Sequence, residues 1–336
     1  MDAIDEMVET LEGLRRSWLR SLRAANASSQ TLRAYGRAIT MLIEFLSYPP
    51  EDAVAGEESP AALLERLPVW DEADIRRDHL EAFIGHLHRH YKPNTVNGRW
   101  SALHVFFNWL VEQPDIPVTV SPMTGMRRPF IPEEHPPILD VGEIRALLRT
   151  CSPRDYHGVR DEAIIRLMAD TGLRINEVVT LMITDVIDGQ RVPVIDMDLE
   201  TVYVMGKGRR PRSVSFGAKT AAALDRYLRA RRKHPHRTRP EFFLREPRYP
   251  TPGGLTEGGI TRMLQRRAEA AGIKHVHPHM FRHTWAAAQK RSGLDRGAMK
   301  NQGGWRSDKM PDRYGAIVET DRSLEAHRRT SFGDEI

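Results

Sequence analysis

Tyr314 lies nine residues beyond Trp305, and upstream of both stand, in order, Arg174, Lys207, His279 and Arg282. Those residue types can move a phosphoryl group onto a phenol without a metal. A free phenol titrates near pH 10, so only about one in a thousand is ionised at neutrality, and neighbouring cations must help it. Two guanidiniums, Arg174 and Arg282, can hold the extra negative charge on the non-bridging oxygens of a phosphodiester through planar, paired donors. Lys207 sits between Gly206 and Gly208, and its long arm could protonate a leaving 5′ oxygen. Attack by Tyr314 would free a 5′ hydroxyl and keep the bond energy in a 3′-phosphotyrosine ester. Reverse attack on that ester by a hydroxyl could re-form a phosphodiester. The chemistry calls for no cofactor and no metal.

Each residue also has a plainer reading. Arg174 could pair with Glu177 one helical turn away. Lys207 could be a simple phosphate contact beside Arg209 and Arg210, and Tyr314 a core aromatic, although Asp-Arg precedes it and Gly follows it. His279 and His283 stand at i, i+4 as zinc ligands on a helix do, yet no Glu follows His279, and Pro278 interrupts the run. The fragment His-x-x-Arg occurs five times in the chain. Only His279/Arg282 lies downstream of Thr-Gly-Leu-Arg-x-x-Glu and a Gly-Lys-Gly turn and, at workable spacing, upstream of Trp305 and Tyr314. The order carries the reading.

The elements that must position these residues fall into two regions. In the first, Leu32, Tyr35, Ile39, Leu42 and Leu46 step by threes and fours, as one helix face does. A helix over residues 94–111 gathers Val96, Trp100, Leu103, Phe107 and Leu110 on its core face, and leaves Lys92, Asn97 and Arg99 as candidate DNA contacts. Residues 47–74 read as an acidic loop between helices. Seven prolines in residues 112–137 exclude a helix or central strand and mark an extended linker. Beyond it, helices are expected over 141–148 and 161–169, with a Thr171-Gly172-Leu173 turn presenting Arg174. Strands over 198–205 and 212–216 should form a hairpin with Lys207 at its tip. Helices over 218–232 and 259–271 follow, the second carrying Arg262, Gln265, Arg266 and Arg267.

With 336 residues there is room for two cores, and a mean hydropathy of −0.49 fits a soluble protein. The N-terminus lacks an apolar stretch and no run is long enough to span a bilayer, so a cytoplasmic protein without membrane partners is expected. Cys151 is alone, which excludes a disulfide framework or a cysteine zinc site and leaves an inert buried thiol. Charge is uneven: residues 47–81 hold ten acidic and three basic side chains, and residues 207–248 fourteen basic and three acidic. The basic run could be a solvated helix face, but beside Lys207 it reads as a surface tracking phosphates, with Arg209, Arg210 and Arg212 joined by Arg262 and Arg266.

Taken together, the ordered residues resemble the tyrosine recombinase (phage integrase) family over nearly the whole chain, most strongly from Pro137 to Tyr314. The resemblance implies a mainly α, two-domain protein. Residues 1–111 would be a helical core-DNA-binding domain, 112–137 a linker, and 138–336 a mostly α catalytic domain with a small antiparallel sheet and a C-terminal tail, the two domains closing as a C-shaped clamp on double-stranded DNA. His279 resembles the family's first histidine. Trp305 stands where most members carry a second histidine, so it would act by hydrogen bonding and packing. Gly303 replaces a customary leucine, which puts the packing there in question. The resemblance further implies a homotetramer on paired sites, a tail that docks in trans through Ile317, Val318, Leu324 and Phe332, and no N-terminal arm-binding domain. Integration or excision of a phage or mobile element is the expected task. A type IB topoisomerase and a non-catalytic DNA-binding protein are the alternatives.

Overall fold

The computed structural model describes residues 3–52, 58–69, 71–132, 136–187, 190–205, 211–248, 251, 253–305, 307–308, 311–312, 327–329 and 332–334. The chain divides into two compact units, Met1–Glu134 and His135–Ile336.

The first unit is helical: α1 (Ala3–Ala24), α2 (Ser29–Ser47), α3 (Pro60–Arg66), α4 (Arg77–His90) and α5 (Pro93–Val111). Ser28 starts α2 by accepting the Thr31 N–H at 3.1 Å, the usual work of a serine N-cap. α2 then buries Ile39, Leu42 and Leu46 against α1 and α5. Trp18 of α1 is wholly buried, stacks on Tyr35 at 5.5 Å and meets the edge of Phe106 at 5.2 Å. Val96, Leu103, Phe107 and Leu110 face the same core from α5, whereas Trp100 lies half-buried at its margin.

Two expectations for this unit need correction. The acidic stretch is not all loop, because Ser59 caps α3 by accepting the Ala62 N–H at 3.1 Å, and Leu63 gives the short helix a buried anchor. His79, fully buried, then ties the start of α4 down, its Nδ1 accepting the Arg76 N–H at 3.0 Å and its Nε2 meeting the Leu67 carbonyl at 2.9 Å. The proline-rich segment forms neither helix nor strand among its described residues, but its first part is not a free connector. Ile116, Met123 and Met126 pack on the helical core; the sequence between the prolines is apolar enough to be held there.

The second unit runs α6 (Val141–Arg149), α7 (Tyr156–Thr171), α8 (Ile175–Val179), β1 (Thr184–Ile187), β2 (Gln190–Pro193), β3 (Ile195–Asp196), β4 (Thr201–Met205), β5 (Pro211–Ser215), α9 (Ala218–Arg232), α10 (Glu257–Ala270), α11 (Pro278–Arg291) and α12 (Arg296–Gly303). β1 and β2 form an antiparallel hairpin that the sequence reading missed. β3, β4 and β5 form an antiparallel sheet in that order, with Val202 opposite Val214 and Val204 opposite Arg212. α7 is the central helix, burying Ala163, Ile164, Ile165, Leu167 and Met168 completely. It starts before the expected 161 because Asp155 caps it, accepting the Gly158 N–H at 2.7 Å. It ends at Gly172, whose φ of +60 is left-handed and where an added Cβ would lie 2.5 Å from the Trp285 ring. Only glycine meets both demands. Cys151 is buried, and burial pushes its thiol up to about 11.

Candidate active site

The turn after α7 delivers Arg174 as the residue preceding α8. Glu177 fixes it twice: one carboxylate oxygen accepts the Arg174 backbone N–H at 2.8 Å and the other accepts from Nη1 at 3.1 Å. The ion pair expected as the plainer reading of Arg174 is therefore real. It coexists with a site position, because Nη2 of the same guanidinium donates to the Gly304 carbonyl at 3.2 Å. About a third of the Arg174 side chain is exposed (32%), so it can also meet an external phosphate.

Arg282, on α11, is 4% exposed. Its Nη1 donates to the Gly172 carbonyl at 2.8 Å, its Nη2 donates to the Gly303 carbonyl, and its guanidinium lies 4.9 Å over the Trp305 ring. Arg174 and Arg282 thus meet at adjacent carbonyls of one turn. Trp305 is buried beside them, 5.9 Å from Trp285. The question raised by Gly303 has a direct answer, since a Cβ there would fall 2.8 Å from the indole. With tryptophan at 305, glycine at 303 makes the room.

His279 stands one helical turn before Arg282, on the exposed rim of α11. Partial desolvation, followed by the charges of His277, Arg282 and Arg174, holds its imidazole below the usual histidine range. It is neutral at pH 7 and able to accept a proton. His283 is half-buried, with its ring 6.3 Å from that of His279. Among the described residues no group of three or more His, Cys, Asp or Glu side chains is placed to hold a metal ion. Lys207 and Tyr314 lie outside the described residues, as do Arg209 and Arg210.

Several surface expectations change. Arg212 is not a phosphate contact: it alternates inward with Val214 on β5, is buried, and holds Glu177 at 2.9 and 3.0 Å. Arg99 is half-buried and donates to the Ala34 carbonyl of α2 at 2.8 Å, so it secures helix packing. The basic run is not a continuous face either. Arg231 is buried among the carbonyls of Arg237, Arg239, Glu241 and Phe242, while Arg226 pairs with Glu162 and Arg239 with Glu241. Lys92, Arg262 and Arg266 are exposed.

One basic residue was missed. Asn97 accepts from Arg128 Nε at 2.6 Å, Ser101 accepts from its Nη2 at 3.3 Å, and the guanidinium lies 5.9 Å over the Trp100 ring. The polar stripe of α5 therefore presents an exposed arginine from the proline-rich segment. Nothing in the local pattern of that segment signals this, because the contact spans 31 residues of chain.

Residues 137–320 match the family model described as "Phage integrase family". The chain belongs to this family. Residues 14–115 match the phage integrase N-terminal SAM-like domain. As a phage integrase family member it is a tyrosine recombinase, an enzyme of site-specific DNA cleavage and rejoining. It is 31% identical over 265 residues to the tyrosine recombinase XerC of Xylella fastidiosa, covering 77% of this chain and 76% of that one. It is 26% identical over 289 residues to XerC of Staphylococcus haemolyticus, covering 85% and 86%. Its fold matches the XerH site-specific recombinase bound to a palindromic difH substrate, with TM-score 0.67, 18% identity, and 90% and 81% of the two chains covered. It also matches the Tn1549 transposon integrase in complex with a circular intermediate DNA, with TM-score 0.64, 15% identity, and 93% and 99% covered.

Proposed function

We propose that this integrase family member binds double-stranded DNA at simple core sites and cuts it with Tyr314, forming a 3′-phosphotyrosine ester. Arg174 and Arg282 bind the non-bridging oxygens, Lys207 protonates the leaving 5′ oxygen, His279 exchanges a proton with the nucleophile, and Trp305 packs the phosphate site. Residues 1–111 grip DNA, 112–137 connect, and 138–336 carry the chemistry. Four copies on paired sites would exchange strands in the cytoplasm. The observation that carries the reading is the convergence of Arg174 and Arg282 on the carbonyls of Gly303 and Gly304, next to Trp305 and ten residues from Tyr314 in sequence. Integration or excision of a phage or mobile element is the proposed setting.

The test is covalent capture from a pool of nicked random-sequence duplexes, denatured and sequenced. A denaturant-resistant adduct that disappears in Tyr314→Phe supports the mechanism and supplies the recognised sequence. DNA retention with no adduct would leave a binding protein only. A captured sequence found at the ends of an element supports the proposed setting, and one found elsewhere removes it.

A further inference from the structure

α12 ends at a point where three arginines meet. Arg212 Nε donates to the Gln302 carbonyl at 2.9 Å, Arg282 to Gly303 and Arg174 to Gly304 at 3.2 Å. The last carbonyls of a helix lack partners within it and carry its negative end, and here guanidiniums from β5, α11 and the start of α8 supply both donors and charge. Arg174 and Arg282 are the two proposed for the phosphate, whereas Arg212 donates from Nε, Nη1 and Nη2 to the Gln302 carbonyl and to Glu177.

We propose that Arg212 is a positioning residue for strand cleavage, holding Glu177 so that Arg174 is fixed against the end of α12, and fastening β5 to the same point. The proposal rests on the strand-transfer reading above. Glu177 accepts four hydrogen bonds, two from Arg174 and two from Arg212. Without Arg212 the buried carboxylate would have Arg174 as its remaining cation in this set, and Arg174 would be drawn inward from the phosphate. Burial alone would raise the Glu177 carboxyl, but its bonds to Arg212 and Arg174 outweigh that and hold it below the ordinary range. The close seat of Arg212 depends on Gly304, where φ is +60 and an added Cβ would lie 2.9 Å from the guanidinium carbon. Stability alone does not require such an arrangement, since well-packed apolar side chains commonly replace a buried ion pair without loss. On the sheet, Arg212 faces Val204 one pair inside the last described rung, Met205 opposite Pro211, so its anchor is transmitted to the ends of β4 and β5.

The test compares Arg212→Lys, Arg212→Met and the double variant Arg212→Met/Glu177→Gln on the duplex captured by the wild-type protein. Single-turnover cleavage at saturating DNA should fall ~100-fold in Arg212→Lys, the scale of a displacement of about 1 Å at a reacting centre, with DNA affinity and thermal midpoint nearly unchanged. The double variant should cleave no more slowly than Arg212→Met, because the carboxylate that would draw Arg174 inward is removed. Cleavage that tracks only the folded fraction, or a loss confined to DNA affinity, overturns the proposal. Hydrogen exchange of the free protein decides the strut without DNA: residues 174–181 and 299–305 should both exchange faster in Arg212→Lys while α7 does not, and unchanged protection in both segments overturns it. Failure of the wild type to form any adduct would count against strand transfer, and the exchange result would still stand.

Discussion

Arg174 shows why the simple alternative between structural and functional arginines is too narrow. Its bonds to Glu177 and Gly304 fix a planar fork with part of its surface exposed, which lysine cannot reproduce. In Arg174→Lys, single-turnover cleavage should fall by about 100-fold or more while DNA affinity changes little; equal rates at saturating DNA would remove Arg174 from the reaction. His279 makes a prediction of opposite sign to that of a protonated donor. Its pKa is lowered, so the neutral form persists as the pH falls to about 6.5 and is lost only below that. Cleavage should be level between pH 8 and that point and fall at lower pH, and His279→Asn should lose this acid limb along with much of its rate. An acid limb unchanged in the variant would assign it to another group.

Helix ends carry much of the organisation at the next scale. Asp295 caps α12, accepting the N–H groups of Gly297 at 2.7 Å and Ala298 at 3.1 Å. Asp295→Ala should cost about 1 kcal/mol by chemical denaturation, and should slow cleavage beyond that loss because the far end of the same helix anchors Arg174 and Arg282. Equal losses in stability and rate would show that α12 acts only as scaffold. In the first unit, burial holds His79 below the usual histidine range despite its bond to Leu67. A depressed histidine contributes stability above its unfolded value of about 6.5, and the contribution shrinks as pH falls below that value. The thermal midpoint should therefore drop from pH 7 to pH 5, with a shallower slope in His79→Gln. A slope that does not change would place the acid sensitivity elsewhere. Helices with clear apolar periodicity, such as α2 and α5, were legible in the sequence. The 7-residue α3 and the hairpin of β1 and β2 were not, because few residues carry their pattern.

For the whole molecule, the question is which cations meet DNA. Net charge is only +5, and much of the basic run in the second unit is engaged internally. Arg128, Lys92, Arg262 and Arg266 are exposed. Replacing Arg128 by Ala should weaken DNA binding and reduce the slope of log affinity against log salt by about 1, without lowering the thermal midpoint appreciably. Arg99→Ala should do the reverse, since its guanidinium holds α2. If both variants leave the salt slope intact, α5 does not face the phosphates.

The ordered residues Arg174, Lys207, His279, Arg282, Trp305 and Tyr314 pointed to the family and to the chemistry proposed for it, because reaction type depends on which groups are present and in what order. Apolar spacing determined helices such as α2 and α5 for a similarly local reason. Tertiary structure alone decided which arginines are available. Arg212 and Arg262 look alike as letters in basic stretches, yet one is buried against Glu177 and the other exposed. The alternation of β5 hinted at this, placing Arg212 on the same face as Val214, but its partner lies 35 residues away. The closing of Arg174, Arg282 and Arg212 on the end of α12 has no local signature at all. It exists because four separate elements fold to one place, where unpaired carbonyls and a buried carboxylate need the donors those arginines bring.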